Sequence, residues 1–249
     1  MRMRAGRYHI VVPPDPMRLA PVSAAGRRRA ILALLLLVPA ASVGTFIAMV
    51  AAPGPIGQAV FLVAKAWLLL FPVVWLMAMD RVRPTLPRPS RRGMTAALAT
   101  GVAIFLAIFA GYGLVGAAWI DPELMRRKAM AVGLTTPAIY LAGAVYWCTV
   151  NSILEEYVWR WFVFIRLELL LPRAAAVLAS GLLFTLHHII ALSVYFDWRI
   201  TLLASLGVLV GGTTWSWLYL RYRNLYAAYV SHVFADIAIF ILGYWLIFR

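Results

Sequence analysis

The chain has 249 residues, of which 64% are hydrophobic and 13% charged, with a formal net charge of +14. Soluble domains average about 25% charged and 45–50% apolar residues, so this composition excludes an ordinary soluble domain. A nucleic-acid-binding protein is also excluded, because the arginines cluster beside apolar segments, as they do at the cytoplasmic ends of membrane helices.

Residues 1–30 are basic and are predicted to form a disordered cytoplasmic tail. The apolar run from Ile31 to Ala52 that follows is about 22 residues long, against 7–15 for the apolar region of a cleavable signal peptide. We therefore interpret it as the first transmembrane helix.

Further apolar blocks follow at 58–79, 95–120, 136–154, 174–196, 201–220 and 225–247. Each approaches the roughly 20 residues that cross a bilayer as a helix. The segment 157–171 is apolar but carries Arg160, Arg166 and Glu168, which predicts either an interfacial helix or an eighth, short span. The predicted fold class is all-α, a polytopic transmembrane helical bundle with about seven to eight spans.

The distribution of arginines predicts the orientation in the membrane. Arginines in the tail, in the loop 80–93, near residues 160–173 and at 221 and 223 place these regions on the cytoplasmic side. The loop 121–135 is an exception, since it carries Arg126, Arg127 and Lys128. Arginine outnumbers lysine 21 to 2, which is typical of GC-rich genomes and favours a bacterial inner membrane.

Several ionisable residues lie within the predicted spans, where each costs about 2.5–3.5 kcal/mol on insertion scales. For Lys65, in the second block, we expect a structural role, and for Cys148 that of a small buried apolar residue. The others lie in the last four blocks or at their ends: Glu155, Glu156, Arg160, His187, His188, His232 and Asp236.

Helical spacing groups these residues. Glu156 and Arg160 lie four residues apart and so share a helix face, as do Phe184 and His188, and His232 and Asp236. His187 and His188 point about 100° apart, so only one of them is expected to face a common site. Spacing alone does not decide which of the two it is.

Two histidines and a carboxylate from three helices supply the ligands that a catalytic zinc requires. The same groups serve a metal-free reaction as a general base and polarising donors. A third interpretation is that they only form interhelical hydrogen bonds.

Written in order, the motifs are EExxxR (Glu155, Glu156, Arg160), FxxxH (Phe184, His188) and HxxxD (His232, Asp236). This set resembles the CPBP family of intramembrane proteases, also called the Abi family, which includes CAAX prenyl endopeptidases and bacteriocin-processing proteins. The resemblance covers about residues 135–247. It implies a catalytic transmembrane core over 135–249. Residues 31–134, predicted from their apolar blocks to form N-terminal transmembrane helices, resemble the family only in spanning the membrane.

The resemblance implies a role for each motif residue. Glu155, with His188, is expected to activate the attacking water, while Glu156 is held by Arg160 and supports the site together with Phe184. The FxxxH motif selects His188, and His187 is expected to be a packing or hydrogen-bonded neighbour. His232 and Asp236 are expected to stabilise the oxyanion or to bind a metal. An ionised Asp236 accepts hydrogen bonds only, so it is expected to bind a cation, to orient His232 or a neighbouring group, or to stay protonated in its apolar surroundings. We favour the first, with a zinc site formed by Glu155, His188, His232 and Asp236.

The predicted function is an intramembrane (metallo)endopeptidase that acts near the cytoplasmic face. The expected substrates are membrane-associated, either a prenylated CAAX protein or a bacteriocin or leader peptide, and membrane lipid surrounds them. Two alternatives are an ion- or proton-coupled transporter and a catalytically silent family member with an immunity or scaffold role.

Overall fold

The structure is a computed structural model that describes residues 23–81 and 87–249. Within these ranges the chain forms eight helices and no strand. They are α1 (Ala24–Ala51), α2 (Pro55–Asp80), α3 (Arg91–Trp119), α4 (Pro122–Ala131), α5 (Pro137–Glu168), α6 (Arg173–Tyr195), α7 (Trp198–Tyr222) and α8 (Leu225–Phe248).

Seven of these helices, all but the short α4, are long and apolar enough to cross a membrane. The predicted all-helical, multi-pass bundle is therefore confirmed. Of the predicted tail, residues 1–22 lie outside the described residues. The remainder is already helical, since α1 begins at Ala24 after Ser23, whose hydroxyl accepts a hydrogen bond from the Gly26 amide.

The segment 157–168 forms neither an interfacial helix nor an eighth span, because it continues α5 as far as Glu168. Its charged side chains find partners inside the bundle. Arg160 pairs with Glu156, and Arg166 pairs with Asp80 at the end of α2. Glu168, the last residue of the helix, accepts hydrogen bonds from both terminal nitrogens of Arg223, at 2.5 and 2.7 Å. These charges therefore do not interrupt the helix.

The short helix α4 explains the exception to the arginine distribution. Lys128 donates to the backbone carbonyl of Val194, and Arg126 donates to that of Ile247 at 3.0 Å. These carbonyls lie in the last turns of α6 and α8, where a helix carries partial negative charge. The cations of α4 thus stabilise helix ends, and their position does not require a cytoplasmic loop.

Helix α5 lies where the other membrane helices meet. Its C-terminal half packs against α1, α2, α6 and α7, and α8 packs along the rest of its length. Helices α6 and α7 approach closely at Gly181 and Gly212, where a Cβ added to Gly212 would lie 3.3 Å from the Gly181 Cα. This close packing brings side chains from α5, α6 and α8 together in the middle of the bundle.

Candidate active site

The two adjacent glutamates lie on a regular helical turn, Ser152–Glu156, between two wider π-helical segments of α5, Trp147–Asn151 and Tyr157–Phe164. Such local widening of a helix is frequent at functional sites. It is not visible in the spacing of apolar residues. The turn lies at the centre of the bundle, and it gives Glu155 and Glu156 different surroundings.

Glu156 is fully buried, and its carboxylate joins α5 to α8. Its Oε1 accepts a hydrogen bond from Arg160 Nη1 at 3.0 Å and one from His232 Nδ1 at 2.8 Å. The second Arg160 nitrogen, Nη2, donates to the carbonyl of Gly212 at 3.1 Å, and the guanidinium lies 4.5 Å from the Phe184 ring centroid. The EExxxR and FxxxH motifs therefore meet around one buried ion pair.

The ring of His232 has a fixed orientation. It stacks on the indole of Trp215, with ring centroids 3.8 Å apart and an interplanar angle of 16°. Because Nδ1 donates to Glu156, Nε2 faces the opposite direction, 3.8 Å from Glu155 Oε2 and 3.6 Å from Asp236 Oδ1. His232 thus lies between the supporting glutamate and the more accessible carboxylates.

Asp236 is held from α5. Its Oδ2 lies 2.5 Å from the hydroxyl of Ser152, which is itself 2.7 Å from the carbonyl of Trp147. No motif indicated Ser152, because its contact joins residues 84 positions apart in the chain. The hydroxyl fixes the side of Asp236 that faces away from His232.

Glu155 differs from Glu156 in exposure and in partners. Its side chain is 12% exposed, against 0% for Glu156. Its Oε1 accepts a hydrogen bond from Asn151 Nδ2 at 2.9 Å, and the amide oxygen of Asn151 accepts one from Lys65 Nζ at 2.8 Å. Like Ser152, Asn151 and Lys65 are site residues that the motifs did not identify.

The two histidines of α6 both reach this carboxylate. Nδ1 of His188 lies 3.0 Å from the carbonyl of Phe184, which can only accept, so Nδ1 carries the proton and Nε2 keeps its lone pair. His187 stacks on Trp159 at 5.5 Å with an interplanar angle of 6°. The two imidazole rings lie only 4.1 Å apart, although their Cβ directions differ. The expectation that only one of them faces the site is therefore wrong.

Glu155, His187 and His188 form a group that can hold a metal ion. Each offers one ligand atom, and these atoms lie within 4.8 Å of one another. One carboxylate and two imidazoles match the ligands that zinc takes in catalytic sites. His187 Nδ1 is also buried without a hydrogen-bond partner among the described residues, as expected for an atom that awaits a ligand.

The charge of the cluster also fits a cation. It contains three carboxylates, Glu155, Glu156 and Asp236, and two basic side chains, Arg160 and Lys65. When these five groups are ionised and the histidines are neutral, the cluster lacks one positive charge, which either a proton on His232 or a bound cation would supply. The candidate metal-binding group differs from the predicted set, because it includes His187 and does not include His232 or Asp236. Nε2 of His232 lies 3.8 Å from Glu155 Oε2 and 3.6 Å from Asp236 Oδ1.

These features define an integral multi-pass membrane protein with a polar, partly accessible carboxylate–histidine cluster inside an apolar bundle. Comparison with protein families matches residues 137–238 to the model described as type II CAAX prenyl endopeptidase Rce1-like. This part of the chain is thus a domain of the Rce1-like type II CAAX prenyl endopeptidases, a family of membrane proteases within the CPBP (Abi) group.

The matched region runs from the start of α5 into α8 and contains all the motif residues. No curated protein and no solved structure gave a match to this chain.

Proposed function

We propose that this protein is a membrane-embedded endopeptidase that hydrolyses a peptide bond in a membrane-associated protein or peptide. The observation that carries the proposal is the state of the Glu155 carboxylate. Its Oε1 is held by Asn151, its Oε2 lies 3.8 Å from His232 Nε2, and the carboxylate forms a group with His187 and His188 whose ligand atoms lie within 4.8 Å of one another. A carboxylate held in this way, inside an apolar bundle, is arranged for proton transfer.

In the proposed reaction, Glu155 Oε2 takes a proton from a water molecule, whose oxygen attacks the carbonyl carbon of the scissile peptide bond. His188 orients this water, since its Nδ1 proton is committed to the Phe184 carbonyl and its Nε2 lone pair is free to accept a hydrogen bond. The proton then passes from Glu155 to the leaving amine. General acid–base catalysis of this type contributes about 10²–10⁴-fold to the rate.

His232 supports the charge that develops on the carbonyl oxygen. When its Nε2 carries a proton, the ring donates a hydrogen bond on the Glu155 side, and Glu156 balances its positive charge at Nδ1. Asp236, held by Ser152, orients the Nε2 edge of the same ring. Glu156 and Arg160 have no contact with the reacting atoms in this proposal and hold His232 in place.

As an alternative to this metal-free reaction, we propose that the site binds a divalent metal, zinc by its ligand chemistry, through Glu155, His187 and His188, with His232 and Asp236 beside it. The Nε2 lone pair of His188 would then hold the ion and would no longer accept a hydrogen bond from the water. Bound there, zinc would supply Lewis-acid polarisation of the substrate carbonyl.

The expected substrates are prenylated CAAX proteins or leader peptides at the membrane of a bacterial cell. We propose that the arginine-rich helix ends face the cytoplasm and that the substrate enters from that side. At 1.5 Å per residue, His232 lies about 10 Å and Glu155 about 20 Å from those ends of their helices.

A transporter is less well supported, because each of the seven spans in the described residues is one continuous helix rather than the broken helices typical of transporters.

The purified protein in liposomes tests this proposal with a fluorogenic farnesylated peptide ending in a CAAX sequence and with the same peptide lacking the prenyl group. We expect the wild-type protein to cut the prenylated peptide and Glu155→Ala to leave it intact. Equal cleavage by both proteins would show that Glu155 is not the catalytic base.

A further inference from the structure

Lys65 lies in α2, outside the region 137–238 that matches the protease family, yet it contacts the candidate site. Its ammonium group donates to Asn151, and Asn151 donates to Glu155. We propose that Lys65 and Asn151 are positioning residues that fix the carboxylate of Glu155 for water activation. This inference rests on the proposed function of Glu155 and assigns the N-terminal helices a part in the reaction.

Lys65 and Glu155 together determine which way the amide of Asn151 points. An ammonium group can only donate, so the oxygen of Asn151 must face Lys65 and its NH₂ group must face Glu155. Without the ammonium, the Asn151 oxygen would lose its donor, and only the Glu155 carboxylate would hold the amide in place. The amide and the carboxylate bonded to it would then be less firmly fixed.

The fixed amide leaves Glu155 with two unequal oxygens. Oε1 is occupied by the Asn151 hydrogen bond, and Oε2 points towards His232 Nε2 at 3.8 Å. Because Asn151 and Glu155 lie four residues apart on α5, their side chains share one helix face. The pair therefore holds the carboxylate in one rotamer, with one oxygen available for the water.

The surroundings of Lys65 agree with this role. Its side chain does not extend to the membrane surface, because Nζ bonds Asn151 at a part-buried position. The rings of Phe61 and Trp147 each lie 5.4 Å from Nζ and stabilise the charge there by cation–π interaction. These contacts are made to the ammonium group, so they indicate a role for the charge of Lys65 and not only for the volume of its side chain.

The chain offers a matched control in its other lysine, Lys128. Lys128 lies in α4 and also donates to a neighbouring helix, but at the C-terminal end of α6. The test measures kcat and KM of liposome-reconstituted protein with the farnesylated fluorogenic peptide. We expect Lys65→Met and Asn151→Leu each to lower kcat at least 10-fold with little change in KM. The double variant should be no worse than either single one, Lys65→Arg should recover activity, and Lys128→Met should retain wild-type kcat.

A second measurement is independent of catalysis. A double-mutant cycle reports whether the two side chains interact. It compares the thermal unfolding midpoints of the wild type, Lys65→Met, Asn151→Leu and the double variant. We expect non-additive shifts for this pair and additive shifts for Lys128→Met with Asn151→Leu.

The outcomes separate the two proposals. If Glu155→Ala is inactive while Lys65→Met and Asn151→Leu keep wild-type kcat, the positioning role is overturned and the proposed function stands. If Glu155→Ala cleaves as fast as the wild type, the proposed function fails. Additive unfolding shifts for Lys65 and Asn151 would overturn the contact on which the positioning role depends.

Discussion

Glu155 and Glu156 are neighbours in the chain, but their carboxylates lie in different surroundings. Glu156 is completely buried and accepts hydrogen bonds from Arg160 and His232. Glu155 is partly exposed, is held at one oxygen by Asn151, and lies within reach of His187 and His188. The first glutamate is placed for chemistry and the second for structure, so substitutions of the two are expected to fail in different ways.

Glu155→Gln is expected to remove the proton acceptor while keeping the size and most of the hydrogen bonding of the side chain. The loss of activity should be about 10²–10⁴-fold, the usual contribution of general acid–base catalysis. The unfolding midpoint should stay close to that of the wild type. Steady-state kinetics and thermal unfolding of the same preparation check both parts, and a stable variant with full activity would remove Glu155 from the mechanism.

Glu156→Leu is expected to unfold the protein more easily, because it leaves Arg160 and His232 buried without their carboxylate. Breaking a buried pair by removing one partner typically costs about 3–5 kcal/mol. The double variant Glu156→Leu/Arg160→Leu removes the unpaired charge and should recover part of that stability. Denaturant unfolding in detergent measures both, and a double variant less stable than Glu156→Leu would contradict the proposed pairing.

The two histidines of α6 are expected to contribute to metal binding together. His187→Ala and His188→Ala each remove one ligand of the group with Glu155, so each should weaken zinc binding at least 10–100-fold, the loss seen for supporting residues alone. Zinc titration of the purified protein measures this. His9, outside the described residues, provides a control, as His9→Ala should bind zinc normally; unchanged zinc affinity in both α6 variants would disprove the site.

Asp236→Asn is expected to retain part of the activity, because an amide can still bond Ser152 and can also donate towards the reaction centre. The resemblance to the CPBP family points the same way, since that family accepts either residue at this position. Cleavage assays before and after dialysis against a chelator test the prediction. Full activity of Asp236→Asn after exhaustive chelation would contradict a metal-assisted reaction.

The fold was predictable because membrane helices leave a strong signal of length and composition. All seven apolar blocks correspond to helices, although the helix of the fourth block, predicted to end at residue 154, extends to Glu168. The motif residues were identified by helical spacing, which reports neighbours within one helix. Contacts between helices leave no such signal. The Lys65–Asn151 and Ser152–Asp236 contacts, between residues 86 and 84 positions apart, therefore required the structure.

Two details were predicted incorrectly for local reasons. The charges of 157–168 suggested a break in the helix, but Arg160 and Arg166 are paired inside the bundle and α5 continues. Adjacent residues of a helix point about 100° apart at Cβ, so His187 and His188 were predicted to face different directions. Their imidazole rings nevertheless extend far enough to approach one carboxylate, that of Glu155.

The central claim, that Glu155 is the catalytic residue of a protease, is tested most directly by comparing peptide termini across the proteome of cells that produce either the wild-type protein or Glu155→Ala at equal levels. The account predicts a defined set of termini that is present with the wild type and missing with Glu155→Ala, in proteins or peptides associated with the membrane. Identical termini in both cell lines would contradict it.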